Sequence, residues 1–308
     1  MKKLGKKLVL SSLSLGLAVV TLTTTTFAWY TSNTSVNATI SGATGETSDT
    51  TLTIASTASG PFGKTAAGTK NEHDGSTLQP LQVNSSGALV GLGTGTGFLE
   101  SATAAGTKDY LQFTVYVKSS KTSGTTPVYL ESISVKNTTS SLPEFPILAA
   151  YQVSSTDVWT SSQVGNSYKV DATRALSMHV ASGDSAVTLD SGYSIGEFRD
   201  TTNPTDTLGS SFDALAYYNA FMNPDTALTR GSNVSKELQT ITPSTSTSTS
   251  DALTVATLTG NTATKLTFTI WLDGWDTACF DACQNQTFSI TFSLTSEIGS
   301  VKVTKKSA

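Results

Sequence analysis

The sequence predicts an all-β fold: a jelly-roll-like antiparallel β-sandwich with one short inserted helix and long loops rich in Ser, Thr and Gly. Three observations favour this class. Apolar and polar residues alternate with period two along most of the chain, which is typical of half-buried strands. Threonine, whose side chain branches at Cβ and fits a pleated surface, occurs 54 times. Only one segment has the pattern of a helix.

Alternating runs define the individual strands, and the turns between them are rich in Ser, Thr and Gly. The last two runs are the strongest candidates for a hairpin. A more continuous apolar run, Phe145–Val153, predicts a strand buried on both faces. The alternating runs are Leu111–Val117, Val128–Val135, Leu176–Val180, Val187–Leu189, Leu266–Leu272 and Phe288–Leu294.

The single predicted helix covers Ser211–Met222. A serine cap begins it and Asn223-Pro224 ends it. Segments 56–76 and 84–107 are rich in small residues and bury little apolar area. The Ser/Thr run 242–250 predicts a flexible surface loop, with O-glycosylation as the alternative.

The composition excludes several classes of protein. Of the 308 residues, 37% are hydrophobic and 14% are charged, with two Cys and two His. The net charge is −4, and without the four lysines of the first seven positions the balance is 15 basic against 23 acidic residues. Such a surface does not suit nucleic acid, which binds clustered Lys and Arg. Two cysteines are too few for a disulfide scaffold or a zinc ribbon.

The N-terminus has the layout of a secretory signal peptide. Four lysines precede an apolar run, Leu8–Leu22, and small residues place a cut after Ala28. The run is shorter than the roughly 20 residues that span a bilayer. Two alternatives stay open: an anchor that is never cut, and a cut after Gly5 that keeps the run as a pilin-type helix. We therefore expect a signal peptide at 1–28 and a single β-sandwich domain at 29–308.

The segment freed by that cut, 29–42, has the pattern of a donor strand. It begins with Trp29, and the side chains that share one face of the extended chain are Tyr30, Val36, Ala38 and Ile40. Such a strand can pair with an open sheet edge of a neighbouring copy, and head-to-tail contacts of this kind generate filaments. The alternative is that the segment is the first strand of its own domain.

The same segment carries a family resemblance. After Ala28 the chain reads Trp29-Tyr30-Thr31, followed by a short polar run and by alternating small and apolar residues that end at Gly42. This resembles the TasA-like and camelysin-like matrix fibre proteins that Gram-positive bacteria export through a dedicated, SipW-type signal peptidase. The resemblance covers about forty N-terminal residues and departs at Ser32, where an acidic residue is common in the family. It implies a secreted protein of the cell surface or biofilm matrix that associates with further copies of itself.

No catalytic constellation is apparent in the sequence. His73 and His179 lie more than a hundred positions apart, without the spacing of a zinc protease. The glycines of 91–97 lack the lysine and helix of a phosphate-binding loop, and no serine triad can be nominated. We expect no enzyme activity and no cofactor other than calcium; a secreted hydrolase is the weakest of the function classes considered.

Both cysteines lie in one chemically dense loop, 271–286. Cys279 and Cys283 are four positions apart in a protein expected to be exported, which predicts a local disulfide. It would contribute about 2 kcal/mol because it closes a very small loop. Two free thiols are the alternative.

The same loop is the candidate ligand site. Trp275 can stack on a sugar or anchor the loop by packing. Hard oxygen atoms of the kind calcium prefers are supplied by Asp273, Asp276, Asp281 and the Asn285 side chain. Their spacing matches no EF-hand, so solvated turn residues are the alternative to a metal site.

These observations predict an exported structural subunit of an extracellular fibre or of a surface or biofilm matrix, assembled by strand donation between copies. The alternative function is a monomeric cell-surface adhesin or a glycan- or calcium-binding module that uses loop 271–286. A cell-wall or matrix polysaccharide is a candidate partner for either.

Overall fold

The structure is a computed structural model. It describes residues 40–44, 50–76, 78–91, 104–147, 150–152, 158–159, 164–184, 189, 192–200, 206–209, 212–221, 238–245, 248–276, 279 and 286–305. The predicted signal peptide, residues 29–39 of the predicted donor strand and part of loop 271–286 lie outside these ranges.

Most of the described chain forms two sheets, with strands numbered in chain order. The larger sheet contains β2 (Leu52–Ala55), β4 (Thr69–Asp74), β5 (Pro80–Val83), β6 (Leu89–Gly91), β7 (Leu111–Ser119), β13 (Leu176–Ser182), β14 (Tyr193–Ser194), β15 (Gln239–Pro243), β17 (Thr264–Asp273) and β19 (Val303–Lys305). The smaller sheet contains, in spatial order, β16 (Thr254–Thr259), β8 (Thr125–Asn137), β18 (Phe288–Thr295), β1 (Ile40–Thr44) and β3 (Thr65–Ala67).

Strand β17 is central to the larger sheet. Antiparallel β13 pairs along one edge, while antiparallel β7 and parallel β5 share the other. The far edge of β7 is also shared, by β2 and β4. Beyond β13 the order continues through β14 and β15 to β19. The sheet is therefore mainly antiparallel, with β5 and the β14–β15 pair as its parallel contacts.

The core lies between the two sheets, where the apolar positions of each alternating run point inward. Phe113 on β7 and Phe268 on β17 stack with centroids 4.9 Å apart, and Phe292 on β18 meets Phe268 from the opposite sheet at 4.5 Å. All three are at most 4% exposed. This confirms the predicted class of a mainly antiparallel β-sandwich; the jelly-roll connection order stays a prediction.

A bulge in β8 keeps the core continuous where strict alternation would break it. Ser293 pairs with Ser132 and Leu294 with Leu130, so Glu131 has no partner opposite it on β18. The extra residue changes which face later residues occupy. Leu130 and Ile133 are therefore both buried although they are three positions apart.

The predicted hairpin between the last two long strands is wrong. β17 pairs with β13, β7 and β5, whereas β18 pairs with β8 and β1, so the two strands belong to different sheets. Alternation identifies the face that each strand buries but not its lateral neighbour. The two apolar faces pack against each other across the core, and loop 271–286 crosses from one sheet to the other.

A second, smaller core lies in the chain between β8 and β15. Its buried members are Ile147, Val170, Ala172, Leu208, Phe212 and Tyr217. Helix α1 (Ala214–Phe221) contributes to it, and so does the two-stranded sheet of β9 (Glu144–Pro146) and β12 (Ser167–Lys169). A further two-stranded sheet, β10 (Tyr151–Gln152) with β11 (Val158–Trp159), lies in the same part of the chain. We call this region the side lobe.

Two expectations for the side lobe are corrected. The predicted strand Phe145–Val153, expected to be buried on both faces, is instead divided between β9 and β10. In β9 only Phe145 is partly buried, whereas its neighbours Glu144 and Pro146 are exposed. The predicted helix forms, but Asp213 caps it: its carboxylate accepts the N–H of Ala216 at 2.9 Å. Within the described ranges, no helix has the length and apolar character needed to cross a membrane.

Candidate functional site

The predicted donor strand ends inside the smaller sheet of its own chain. Residues 40–42 begin β1, which runs parallel to β18 with Ile40 opposite Ile290 and Thr44 opposite Leu294. On its other side β1 runs antiparallel to β3, with Ser41 opposite Ala67. Of the predicted assembly residues, Ile40 therefore lies in this sheet, whereas Trp29, Tyr30, Val36 and Ala38 lie outside the described residues.

The C-terminal end of β1 is fixed by Thr44. Its N–H donates to Lys64 O at 2.9 Å, and its hydroxyl donates to Leu52 O at 2.9 Å. The second bond joins the smaller sheet to β2 of the larger sheet. Thr44 thus links the end of β1 to the larger sheet.

The neighbours of β1 differ greatly in how firmly they are held. β18 is a core strand with β8 on its far edge, whereas β3 is only three residues long and its terminal residues Thr65 and Ala67 are exposed. Without β1, the middle of β18 would present an unpaired backbone edge. We call this five-residue place beside β18 the β1 seat.

The described part of loop 271–286 is anchored to the larger sheet. Asp273 accepts the backbone N–H of Trp275 at 3.0 Å, which closes a tight turn. The indole N–H of Trp275 donates to Gln82 Oε1 at 2.8 Å, and Gln82 is only 1% exposed. These two hydrogen bonds anchor Trp275 and the turn to β5, and the role of Trp275 as a ligand contact stays a prediction.

Only part of the predicted calcium site is described. Asp273 and Asp276 lie in the turn, where Asp276 N donates to Asp273 O at 3.0 Å. Asp281 and Asn285 lie outside the described residues. The described residues contain no group of three or more His, Cys, Asp and Glu side chains arranged to hold a metal. The calcium site stays a prediction.

The predicted disulfide also stays a prediction, because Cys283 lies outside the described residues. Cys279 is 2% exposed and packs in the main core, and its N–H donates to Asp276 O at 2.9 Å. Cys279 therefore lies in the core although the strand that precedes it, β17, already ends at Asp273.

Gln286, the last residue of this loop, belongs to a buried polar cluster that was not predicted from the sequence. Asn137 Nδ2 donates to Gln286 Oε1 at 2.6 Å and to Asp171 Oδ1 at 2.7 Å. Gln286 also accepts the N–H of Ala172 at 2.9 Å and donates to Val170 O at 2.9 Å. The cluster joins β8, the start of β18 and the side lobe. No short-range sequence pattern links positions so far apart.

A buried ionic group, also missed, holds the side lobe against the sandwich. Asp206 Oδ2 lies 3.4 Å from Arg174 Nη1 and 3.9 Å from Arg199 Nε, and the Asp206 side chain is 2% exposed. Burial raises the pKa of Asp206, an effect that outweighs the N–H of Leu208 and the two guanidinium groups, which lower it. Arg174 Nη2 also donates to Gly209 O at 2.6 Å.

The two histidines lie on different strands. His73 on β4 stacks on Tyr110 with centroids 4.0 Å apart, and its Nε2 lies 2.8 Å from the Tyr110 hydroxyl. Burial, and then the charge of Glu72, raises the pKa of Tyr110. His179 lies on β13 opposite Thr269 of β17 and is 5% exposed.

Comparison with models of known protein families, with curated proteins and with solved structures finds no match for this chain.

Proposed function

We propose that the protein is an exported structural subunit of an extracellular fibre or of a surface or biofilm matrix, and that copies join by exchanging β1. The observation that carries the proposal is the β1 seat. A five-residue strand at the start of the described chain completes the edge of β18, a strand of the main core.

The position of β1 in the chain is compatible with exchange. β1 ends at Thr44 and β18 begins at Phe288, so no direct connection ties the two paired strands together. The seat can therefore accept β1 from its own chain or from another copy. Exchange of identical elements preserves every backbone hydrogen bond of the seat, so it costs little in contact energy.

The residues of β1 also support exchange. Its sequence is Ile-Ser-Gly-Ala-Thr, with one large apolar residue. Most of the affinity of such a strand comes from its backbone hydrogen bonds, as in other cases where an extended segment adds to a sheet. A small apolar contribution lowers the barrier to leaving the seat, because little apolar surface is exposed to water on the way.

Export rests on the leader at 1–28 and on the resemblance of the following segment to exported matrix fibre proteins. The acidic balance outside the leader suits a soluble extracellular surface but does not by itself choose a function.

The test compares three purified chains by electron microscopy and light scattering: 29–308, 40–308 and 45–308. We expect filaments from the first two and none from the third, which lacks β1. We also expect a synthetic peptide of residues 36–46 to bind monomeric 45–308. The matched control peptide carries Gly42→Pro, which removes a backbone donor and should bind far more weakly.

Two outcomes would contradict the proposal. Equal assembly by 45–308 would show that β1 is not needed. Loss of filaments on removal of 29–39 alone would place the donor upstream of β1 rather than in it.

A further inference from the structure

A polar cleft opens on the outer face of the larger sheet, where β2 and β4 divide the edge of β7. β2 pairs with β7 at residues 116–119, and β4 pairs with it at residues 111–114. Between β2 and β4 the chain leaves this sheet to form β3. The cleft has a volume of about 390 Å³, and the side chains that shape it include Thr57, Thr69, Asn71, Thr114, Tyr116 and Lys265.

The wall of the cleft is held by a chain of side-chain hydrogen bonds. Thr114 Oγ1 donates to Asn71 Oδ1 at 3.1 Å, and Asn71 Nδ2 donates to Gln112 Oε1 at 2.9 Å. Gln112 Nε2 in turn donates to Thr269 Oγ1 at 3.2 Å. The chain fixes the orientation of the Asn71 amide, which keeps a second N–H and a second lone pair for a ligand.

A further hydrogen bond joins two residues that line opposite sides of the split between β2 and β4. Thr69 Oγ1 donates to Ser56 O at 3.0 Å, which joins the end of β2 to the start of β4. The two sides of the cleft are therefore tied together before any ligand arrives, so a ligand pays little ordering entropy for the protein.

The floor carries an aromatic ring beside a cation. Tyr116 and Lys265 lie directly opposite each other on β7 and β17, and both are partly exposed. Lys265 Nζ lies 3.6 Å from Asp184, but that carboxylate is 92% exposed, so water screens the pair and a ligand can replace it. None of the described residues that line the cleft carries a carboxylate.

We infer that this cleft binds an acidic polysaccharide through its uronate sugars. Hydroxyl and amide groups suit the hydroxyls of a sugar, a tyrosine ring offers a stacking surface, and one ammonium group suits one carboxylate. A single lysine is too little positive charge for a nucleic acid. The volume suits a short stretch of a glycan chain rather than a folded partner.

This inference rests on the exported location in the proposed function, but not on exchange of β1. It is therefore tested on dispersed chain 29–308 that light scattering shows to be unassembled, so that a failure of assembly leaves the result unaffected.

The probe is tetragalacturonate, titrated by calorimetry into the intact chain and two variants. Lys265→Gln removes the cation of the cleft, and Lys302→Gln removes an exposed lysine elsewhere on the surface as a matched control. We expect Lys265→Gln to weaken binding at least tenfold and Lys302→Gln to leave it unchanged. We also expect a neutral cello-tetraose to bind more weakly than tetragalacturonate.

A third variant tests the wall. Thr114→Val removes the first donor of the hydrogen-bonded chain with little change in shape, and we expect it to weaken binding without abolishing it. The inference is overturned if the intact chain does not bind the probe, if Lys265→Gln binds as well as the intact chain, or if both lysine variants weaken binding equally. The last result would indicate unspecific attraction to positive charge.

Discussion

The rings of Phe268 and Phe292 lie 4.5 Å apart between centroids and belong to opposite sheets of the sandwich. They join the two longest alternating runs of the C-terminal region face to face rather than side by side. Phe113 lies 6.0 Å from Phe292 and completes a three-ring cluster at the centre of the core. The cohesion of the two sheets therefore depends strongly on these rings.

The first prediction concerns that cluster. Phe292→Ala leaves a cavity between the sheets and should lower the free energy of unfolding by about 3–5 kcal/mol. Urea denaturation followed by tryptophan fluorescence measures it. Val164→Ala, at a side chain that is 38% exposed, is the control and should change stability by less than about 0.5 kcal/mol. Similar losses for both variants would contradict the central role of the rings.

The second prediction concerns the buried polar cluster. Gln286→Met keeps the side-chain size but leaves the N–H of Ala172 and one N–H of Asn137 buried without an acceptor. We expect a loss of about 2–4 kcal/mol in the same denaturation experiment. Gln239→Met, at an exposed position of β15, is the matched control. A near-neutral Gln286→Met would show that the cluster does not hold the side lobe to the sheets.

The third prediction follows from the raised pKa of Asp206. Because the folded state holds this proton more tightly than the unfolded chain, the stability that Asp206 contributes is present below its ordinary pKa of 3.8 and is lost as the pH rises through the native pKa. Asp206→Asn does not titrate. The unfolding free energy of the native chain, relative to this variant, should therefore fall as the pH rises across that window.

The difference in unfolding free energy between the native chain and Asp206→Asn should change by no more than about 1.4 kcal/mol per pH unit, the value for one proton. Thermal or urea unfolding at a series of pH values gives the difference. Asp184→Asn, at a carboxylate that is 92% exposed, controls for the loss of one charge. A difference that rises with pH would mean that the guanidinium groups outweigh burial and that the pKa of Asp206 is lowered.

The fourth prediction concerns the anchor of loop 271–286. Trp275→Phe keeps an aromatic ring but leaves Gln82 Oε1 buried without its donor, at a cost of about 1–3 kcal/mol. Differential scanning calorimetry measures it. No change in stability would favour the alternative role of Trp275 as a ligand contact.

The sequence predicted the long strands well because their alternation is a local property. β7, β13, β17 and β18 each contain the expected run. Their neighbours were not predictable in the same way, since an apolar face is satisfied equally by a strand beside it in a hairpin or by a sheet opposite it. For this reason the alternation of β17 and β18 did not reveal that the two strands lie in opposite sheets rather than side by side in a hairpin.

Strands without apolar alternation were missed. β4 reads Thr-Lys-Asn-Glu-His-Asp, without apolar alternation, and it pairs with part of the edge of β7. Its polar side chains add hydrogen bonds there, such as that from Asn71 to Gln112. The candidate sites differ in the same way: a site within one segment can be predicted from the sequence, and a site formed by distant segments cannot. Loop 271–286 was apparent from its composition, whereas the polar cleft joins residues from β4, β7 and β17 and becomes apparent only in three dimensions.

The most direct test of the central claim traps β1 in whichever chain holds it. Ser41→Cys and Ala67→Cys place two thiols on facing residues of β1 and β3, in a background that carries Cys279→Ala and Cys283→Ala. Filaments are assembled first, then oxidised and run on a non-reducing gel, beside the two single-cysteine variants. Exchange of β1 predicts a ladder of covalently linked multimers from the double variant alone. A band of monomers only, closed by a bond within each chain, would contradict it.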